Sequence, residues 1–339
     1  RVVIILFIFL ITLGTVYVYS ILYDYSGSKL EVIISWIIVC INQSYSLYTL
    51  YFESLLYGRG LVKRSNQFVL LGNLMYVIVA VVFLLLGYGL IAIVSAQFIS
   101  NLIIRFGASI SFFTKNIKEK LKLADDGDYK NVLSAIYPNA VKVGLSGLGS
   151  FFINKSSTFL GPYFVSLADM GAYGVTLQLI NVVASVSQVF TNVYIPKVFQ
   201  WRVENKIDKI KRIFFISCVI LFLVFFGSYI IVILFGNWTL NLMHSNTQLI
   251  SNGLLSILFL HMYLSTNHAN AAQYLLSKNE VPFFKASLWS AFFTLVLFIL
   301  FEVFFDMKLL GMILAPTIAQ LVYQNWKWPL EVIKELYKK

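Results

Sequence analysis

Residues 213–235 read IFFISCVILFLVFFGSYIIVILF, without one charged side chain, directly behind Lys209, Lys211 and Arg212. Coiled into an α-helix at 1.5 Å per residue, such a run is about 34 Å long. That crosses a hydrocarbon core of roughly 30 Å with every backbone hydrogen bond made inside the segment. The apolar/polar alternation that a membrane strand requires is missing.

Working outward, blocks of this length recur about ten times. They are Val2–Leu22, Val32–Tyr57, Gln67–Leu86, Tyr88–Phe113, Asn139–Leu160, Asp169–Tyr194, Ile213–Phe235, Leu249–Leu276, Ala286–Phe304 and Lys308–Trp326. The composition agrees: of 339 residues, 59% are hydrophobic and 12% charged. A soluble domain carries roughly 25% charged residues, so this chain cannot clothe a soluble surface. The expected fold class is an all-α polytopic membrane protein.

Two kinds of linker alternate between the blocks. Tyr23–Glu31, Gly87, Gly161–Ala168, Gly236–Gln248 and Phe305–Met307 are poor in Lys and Arg. Gly58–Asn66, Thr114–Pro138, Ile195–Arg212, Ser277–Lys285 and the tail Lys327–Lys339 are basic. The positive-inside rule places the basic set in the cytoplasm, so the net charge of +11 is topological. Basic residues scattered over five membrane-edge segments do not make a nucleic-acid surface, although some can meet anionic lipid headgroups. The long basic linkers read as amphipathic or surface helices. Within them, Lys115–Lys122 followed by Asp125, Asp126 and Asp128 reads as a solvated hinge between two bundles.

The layout repeats. The second and eighth blocks close on Glu53-Ser54-Leu55-Leu56 and Gln273-Tyr274-Leu275-Leu276, and each is followed by a basic linker and two blocks joined by a tight turn. Blocks one to four thus correspond to blocks seven to ten, which implies two bundles of six with two helices absent ahead of Arg1. Residues 1–113 are then the remainder of the N-terminal bundle, 114–138 the inter-bundle linker, 139–326 a six-helix bundle and 327–339 a basic cytoplasmic tail. Parallel repeats of this kind are typical of secondary transporters, which bind substrate between their halves.

Several blocks carry polar residues at helical spacing. These are Ser35, Asn42, Ser46, Thr49 and Glu53; Gln97, Asn101 and Arg105; Gln178, Asn181, Ser185, Gln188 and Asn192; His261, Ser265 and His268; and Thr317, Gln320 and Gln324. Any one stripe can be interhelical packing. Five together fit a hydrated cavity. Lys155, well inside the fifth block, either faces that cavity or snorkels to the outer headgroups. Arg105 and Glu53 lie nearer the cytoplasmic ends, where an interfacial anchor is the alternative. Glu53, His261 and His268 are candidates for ion coupling, the histidines with a structural role as the alternative. Cys40 and Cys218 sit inside apolar blocks as small apolar residues. No phosphate loop, metal-ligand spacing or nucleophile–base set stands out, so neither enzymatic chemistry nor a cofactor is expected.

Within Gly144–Lys197 stand Phe159-Leu160-Gly161-x-Tyr163-Phe164, a short acidic turn, Met170-Gly171-x-Tyr173-Gly174-x-x-x-Gln178-Leu179, and Pro196. These pieces resemble the seventh and eighth helices of O-antigen and polysaccharide flippases, members of the multidrug/oligosaccharidyl-lipid/polysaccharide (MOP) exporter superfamily. Gly87–Arg105, GYGLIAIVSAQFISNLIIR, resembles the start of the family's sixth helix. The resemblance implies a two-bundle architecture with ten of twelve helices present. It also implies transport of an undecaprenyl-pyrophosphate-linked oligosaccharide from the cytoplasmic to the periplasmic leaflet of the bacterial inner membrane, by alternating access. The implied partners are that lipid-linked substrate, membrane lipids, and a polysaccharide polymerase with its chain-length regulator.

On this reading Lys155 and Arg105 attract the phosphates. Gln178, Asn181, Gln188 and Asn101 line the path of the sugar. A polysaccharide polymerase is the first rival, disfavoured because the outer linkers are all short. A multidrug or other small-molecule exporter is the second, disfavoured because acids do not dominate the polar stripes. A lipid II flippase, differing mainly in cargo, is the third.

Overall fold

The computed structural model describes residues 8, 11–19, 28–115, 117, 119, 129–245 and 247–337. Among these, every regular element is helical. The chain divides into two compact units, residues 1–127 and 128–339. Only part of the first predicted block falls within the described residues, where 11–19 are helical. The acidic half of the predicted hinge, with Asp125, Asp126 and Asp128, lies outside them.

The first unit contains α1 (Lys29–Thr49), which continues after Leu50 into α2 (Tyr51–Gly58), then α3 (Val62–Leu85) and α4 (Gly89–Phe112). Ser28 starts α1 by accepting the Glu31 amide at 3.3 Å. The turn between α3 and α4 takes positive φ at Gly87 (84°) and Gly89 (49°), where glycine lacks the Cβ that would clash. The buried face of α4 is built from small residues, Ala92, Ala96, Ser100 and Ala108, around Arg105. That allows α1, α2 and α3 to pack closely along it.

The second unit runs α5 (Tyr129–Leu160), a 3₁₀ turn (Gly161–Tyr163), α6 (Leu167–Val203), α7 (Ile207–Leu242), α8 (Asn252–Leu276), α9 (Phe284–Ile299) with a π turn (Leu300–Phe304), α10 (Leu309–Leu321) and α11 (Gln324–Tyr337). The helices α5, α6 and α7 have 32, 37 and 36 residues. At 1.5 Å per residue they are about 48–55 Å long, well beyond a hydrocarbon core. They therefore extend into segments that hydropathy assigns to the linkers Thr114–Pro138, Ile195–Arg212 and Gly236–Gln248. Hydropathy marks where the surroundings change; helical hydrogen bonding continues past that edge. The chain turns between α6 and α7 at Asn205, whose φ is 53°.

Among the described residues six segments are long and apolar enough to cross a membrane: Lys29–Gly58, Val62–Leu85, Gly89–Phe112, Leu167–Val203, Ile207–Leu242 and Phe284–Phe304. The protein is a multi-pass membrane protein. Helix α8 is absent from that set for an informative reason. It packs against α6, α7, α10 and α11. Its buried residues include His261, Thr266, His268 and Asn270. A helix wrapped in protein need not be apolar all round.

The core of this unit lies in two apolar layers. One gathers Tyr173, Ile180, Leu221, Phe225, Leu255, Phe259, Phe298 and Met312. The other gathers Val198, Ile210, Phe214, Tyr274, Leu275, Phe283, Trp328, Val332 and Leu336. A satisfied polar cluster joins α6, α7 and α8. Asn270 Oδ1 accepts from Thr191 at 2.8 Å, and its amide donates to Ser217 Oγ at 3.1 Å.

The C-terminal segment departs from the expectation of a plain basic tail. Trp328, Val332 and Leu336 recur every four residues and insert into the second layer. At the edge of the same face Glu335 bonds Arg202 at 2.7 Å and Lys278 at 3.4 Å. Lys211 lies 3.7 Å from the Tyr337 ring centroid. Partial burial pulls the Lys278 pKa down, but Glu280 and Glu335 outweigh it and hold the value above that of an ordinary lysine. The basic segments of this unit thereby meet at one end.

Candidate cavity in the second unit

Four helix-spaced stripes converge inside the second unit. They are Ser146, Ser150, Asn154 and Ser157 on α5; Tyr173, Leu177 and Asn181 on α6; His261, Ser265 and His268 on α8; and Pro316, Gln320 and Gln324 from α10 into α11. Residues three or four apart share a helix face, so each stripe presents a continuous wall.

The walls enclose two adjoining cavities that share Ile153 and Asn154. The smaller, about 80 Å³, is lined by Lys155, Asn181, His261 and Tyr173. The larger, about 210 Å³, is lined by Ser146, Ser150, Ser265, His268, Gln273, Gln320 and Gln324. Neither lining contains a carboxylate.

The polar groups are partly committed to one another. The Gln324 amide donates to Ser287 Oγ at 3.0 Å and lies 3.2 Å from His268 Nε2. Ser287 Oγ meets Ser146 Oγ at 3.3 Å. The Asn154 amide donates to the Ser150 carbonyl at 2.8 Å, and Gln273 donates to Asn192 at 3.3 Å. Capacity remains unused: Gln324 Oε1 and the Nδ1 atoms of His261 and His268 are buried without a partner. Buried polar atoms left unpaired by protein are where a ligand or ordered water gains most.

Lys155 stands apart. Its side chain is exposed at the cavity wall, and no ion pair among the described residues involves it. It lies five positions before the end of α5, roughly 7.5 Å along the axis. Lys155, Asn181 and His261 line the smaller cavity together, and His268 falls in the adjoining one. Gln178 and Gln188 lie on the same helix as Asn181, exposed and half-buried, and line neither cavity.

In the first unit, Asn101 donates to Asn42 Oδ1 at 2.8 Å. Arg105 is ion-paired with Glu53, so these two residues form one unit. The α5 stripe Ser146–Ser150–Asn154 also belongs to the site; it carries no charge, and its four-residue spacing is its signal in the sequence.

No family model matches the chain, and no curated protein matches it. Two solved structures resemble it. One, the inward-facing conformation of a multidrug resistance MATE family transporter of the MOP superfamily, is 16% identical with a TM-score of 0.63, covering 98% of this chain and 80% of that one. The chain shares the fold of that transporter. The other, MATE in the bent conformation, is 15% identical with a TM-score of 0.62, covering 97% of this chain and 77% of that one. At such identities the likeness is one of architecture, and cargo has to be argued from the cavity.

Proposed function

We propose that this MOP-fold protein is an exporter that acts as a flippase. Its cargo is an undecaprenyl-pyrophosphate-linked oligosaccharide, carried from the cytoplasmic to the periplasmic leaflet of a bacterial inner membrane by alternating access. The long basic segments lie in the cytoplasm, in keeping with their gathering at one end of the second unit.

The observation that carries this reading is the unpaired Lys155 ammonium beside a polar cavity whose lining holds no carboxylate. A cation at a cavity wall without a counter-charge favours an anion, and pyrophosphate is such a group. The adjoining amides, hydroxyls and imidazoles of Asn154, Asn181, Ser265 and His268 are uncharged donors and acceptors suited to sugar hydroxyls. Gln178 and Gln188, on the same helix as Asn181 but outside both cavity linings, are proposed sugar contacts beyond the cavities. His261 and His268 remain the candidates for proton coupling. Glu53, held by Arg105, is a weaker one.

A second reading, export of small drug-like molecules, draws on the MATE protein described as a multidrug resistance transporter. A cationic cargo needs a carboxylate facing the cavity, and the described lining offers none.

The test is complementation of a flippase-deficient strain by the full-length protein. Surface glycan should return with the native chain and with Lys155→Arg, and be lost with Lys155→Ala at equal membrane abundance. Full display by Lys155→Ala would remove the anchor role. Drug efflux without surface glycan would favour the second reading.

A further inference from the structure

On the outer face of the second unit lies a groove of about 600 Å³ between α9 and the α10–α11 pair. It shares no lining residue with the polar cavities. One wall is a single stripe of α9: Lys285, Trp289, Phe293 and Leu297, each four residues after the last. From Lys285 to Leu297 the helix rises about 18 Å, close to half of a hydrocarbon core of roughly 30 Å. The groove is therefore one leaflet deep, with a cation at its rim and apolar side chains along its length.

The rim is distinctive in its charge. Lys278 and Lys327 each have a carboxylate, from Glu280 and Glu331. Lys285 makes no ion pair among the described residues, and its ammonium lies 6.0 Å from the Phe284 ring centroid. No acid lines the groove. Trp328 closes the same end, its Nε1 buried without an acceptor. Trp289 is 62% exposed and Phe293 48%, so the groove lies open to whatever surrounds the helices.

We propose that this groove is a binding site for one anionic diacyl phospholipid of the surrounding bilayer. Its phosphate sits at Lys285 and an acyl chain lies along Trp289, Phe293 and Leu297. Basic pockets between membrane helices select anionic headgroups in this way, and aromatic side chains at the same depth hold the chain. The lipid fills the space between α9 and α10–α11 and braces the C-terminal helix. Because the groove is separate from the Lys155 cavity, this holds whatever the cargo is.

The experiment is native mass spectrometry of the purified full-length protein with phosphatidylglycerol or phosphatidylcholine. The native chain should retain phosphatidylglycerol about five-fold more, the factor expected of one lysine at an anionic surface. Lys285→Gln should abolish that preference and Lys285→Arg should keep it. Trp289→Ala should weaken retention of both lipids. Thermal unfolding of each variant in phosphatidylcholine alone controls for folding, and the exposed position of Lys285 leaves it unchanged. Equal retention of the two lipids by the native chain, or an undiminished preference in Lys285→Gln, would overturn the proposal. So would displacement of phosphatidylglycerol by equimolar undecaprenyl phosphate, which would assign the groove to the cargo's lipid tail instead.

Discussion

Arg105 in the first unit and Lys155 in the second are both cations inside apolar helices, and sequence alone gives them the same role. Their surroundings differ. Arg105 lies buried on α4 with Glu53 against it, its Nε without a partner. Lys155 lies at a cavity wall with amides and an imidazole around it. A paired cation is part of the scaffold, because removing either member leaves the other charged and poorly solvated. An unpaired cation at a cavity costs the scaffold little and remains available to cargo. The contrast separates stability from function, and each variant below tests one side of it.

The largest effect is expected at Arg105. Breaking a fully buried pair costs about 3–5 kcal/mol. Glu53 keeps 28% of its side-chain surface, so Arg105→Ala should cost less, about 2–3 kcal/mol. Thermal unfolding in detergent would show the loss, and the double variant Glu53→Leu with Arg105→Leu should recover much of it. An unchanged midpoint combined with lost transport would move Arg105 from the scaffold to the site.

The second largest belongs to Asn270, whose side chain is wholly buried and satisfied by Thr191 and Ser217. Asn270→Ala strands the Thr191 hydroxyl, while Ser217 keeps its bond to the Phe214 carbonyl, and should cost about 1–3 kcal/mol. His268, with an unpaired Nδ1, should be replaceable by Gln at a smaller cost in the same assay. If His268→Gln proves the more damaging, the polar cavity is scaffold.

These contrasts bear on what the sequence makes legible. The long helices and the polar stripes follow from local periodicity. So does the docking of α11: Trp328, Val332 and Leu336 are spaced by four, but low mean hydropathy disguises the segment as a tail. Long-range partners are different. The Glu53–Arg105 pair joins residues far apart in sequence, and no spacing rule reports it. The Glu31 carboxylate receives the Leu90 amide at the start of α4, and a Cβ on Gly89 would collide with it. A carboxylate there complements the positive end of the helix dipole. Glu302 is buried close to Gly311 at the start of α10, where a Cβ on that glycine would collide with it, and its carboxylate oxygens have no hydrogen-bond partner among the described residues. From sequence both acids read as linker or block-edge residues, because the helix each lies against begins across a turn or on another strand of the bundle path. Cargo is illegible for another reason: uncharged polar groups suit many hydroxylated ligands.

A smaller effect is expected at Glu335, which pairs with Arg202 and Lys278 at the basic end. Partly exposed pairs contribute up to about 1 kcal/mol and are screened by salt. Glu335→Gln should lower the unfolding midpoint slightly at low ionic strength and hardly at all at high. The Lys278 pKa is raised in the fold, so its share is fully present below the unfolded lysine value of about 10.4. That share is lost only as pH climbs through the raised one.

The smallest effect on stability, and the sharpest test of the contrast, is at Lys155. Its side chain is exposed and has no ion pair to lose among the described residues, so Lys155→Ala should leave unfolding within about 0.5 kcal/mol of the native chain. Truncation even removes a cation from an apolar segment, which favours a slight rise over a fall. Transport should nonetheless fail, and Lys155→Arg should restore it by keeping the charge. Lys155→Met keeps the apolar stem without the charge, and should behave like Ala if charge is what matters. A marked fall in the unfolding midpoint of both Lys155→Ala and Lys155→Met would place Lys155 with Arg105 as scaffold, and the cavity would lose its claim to an anionic cargo.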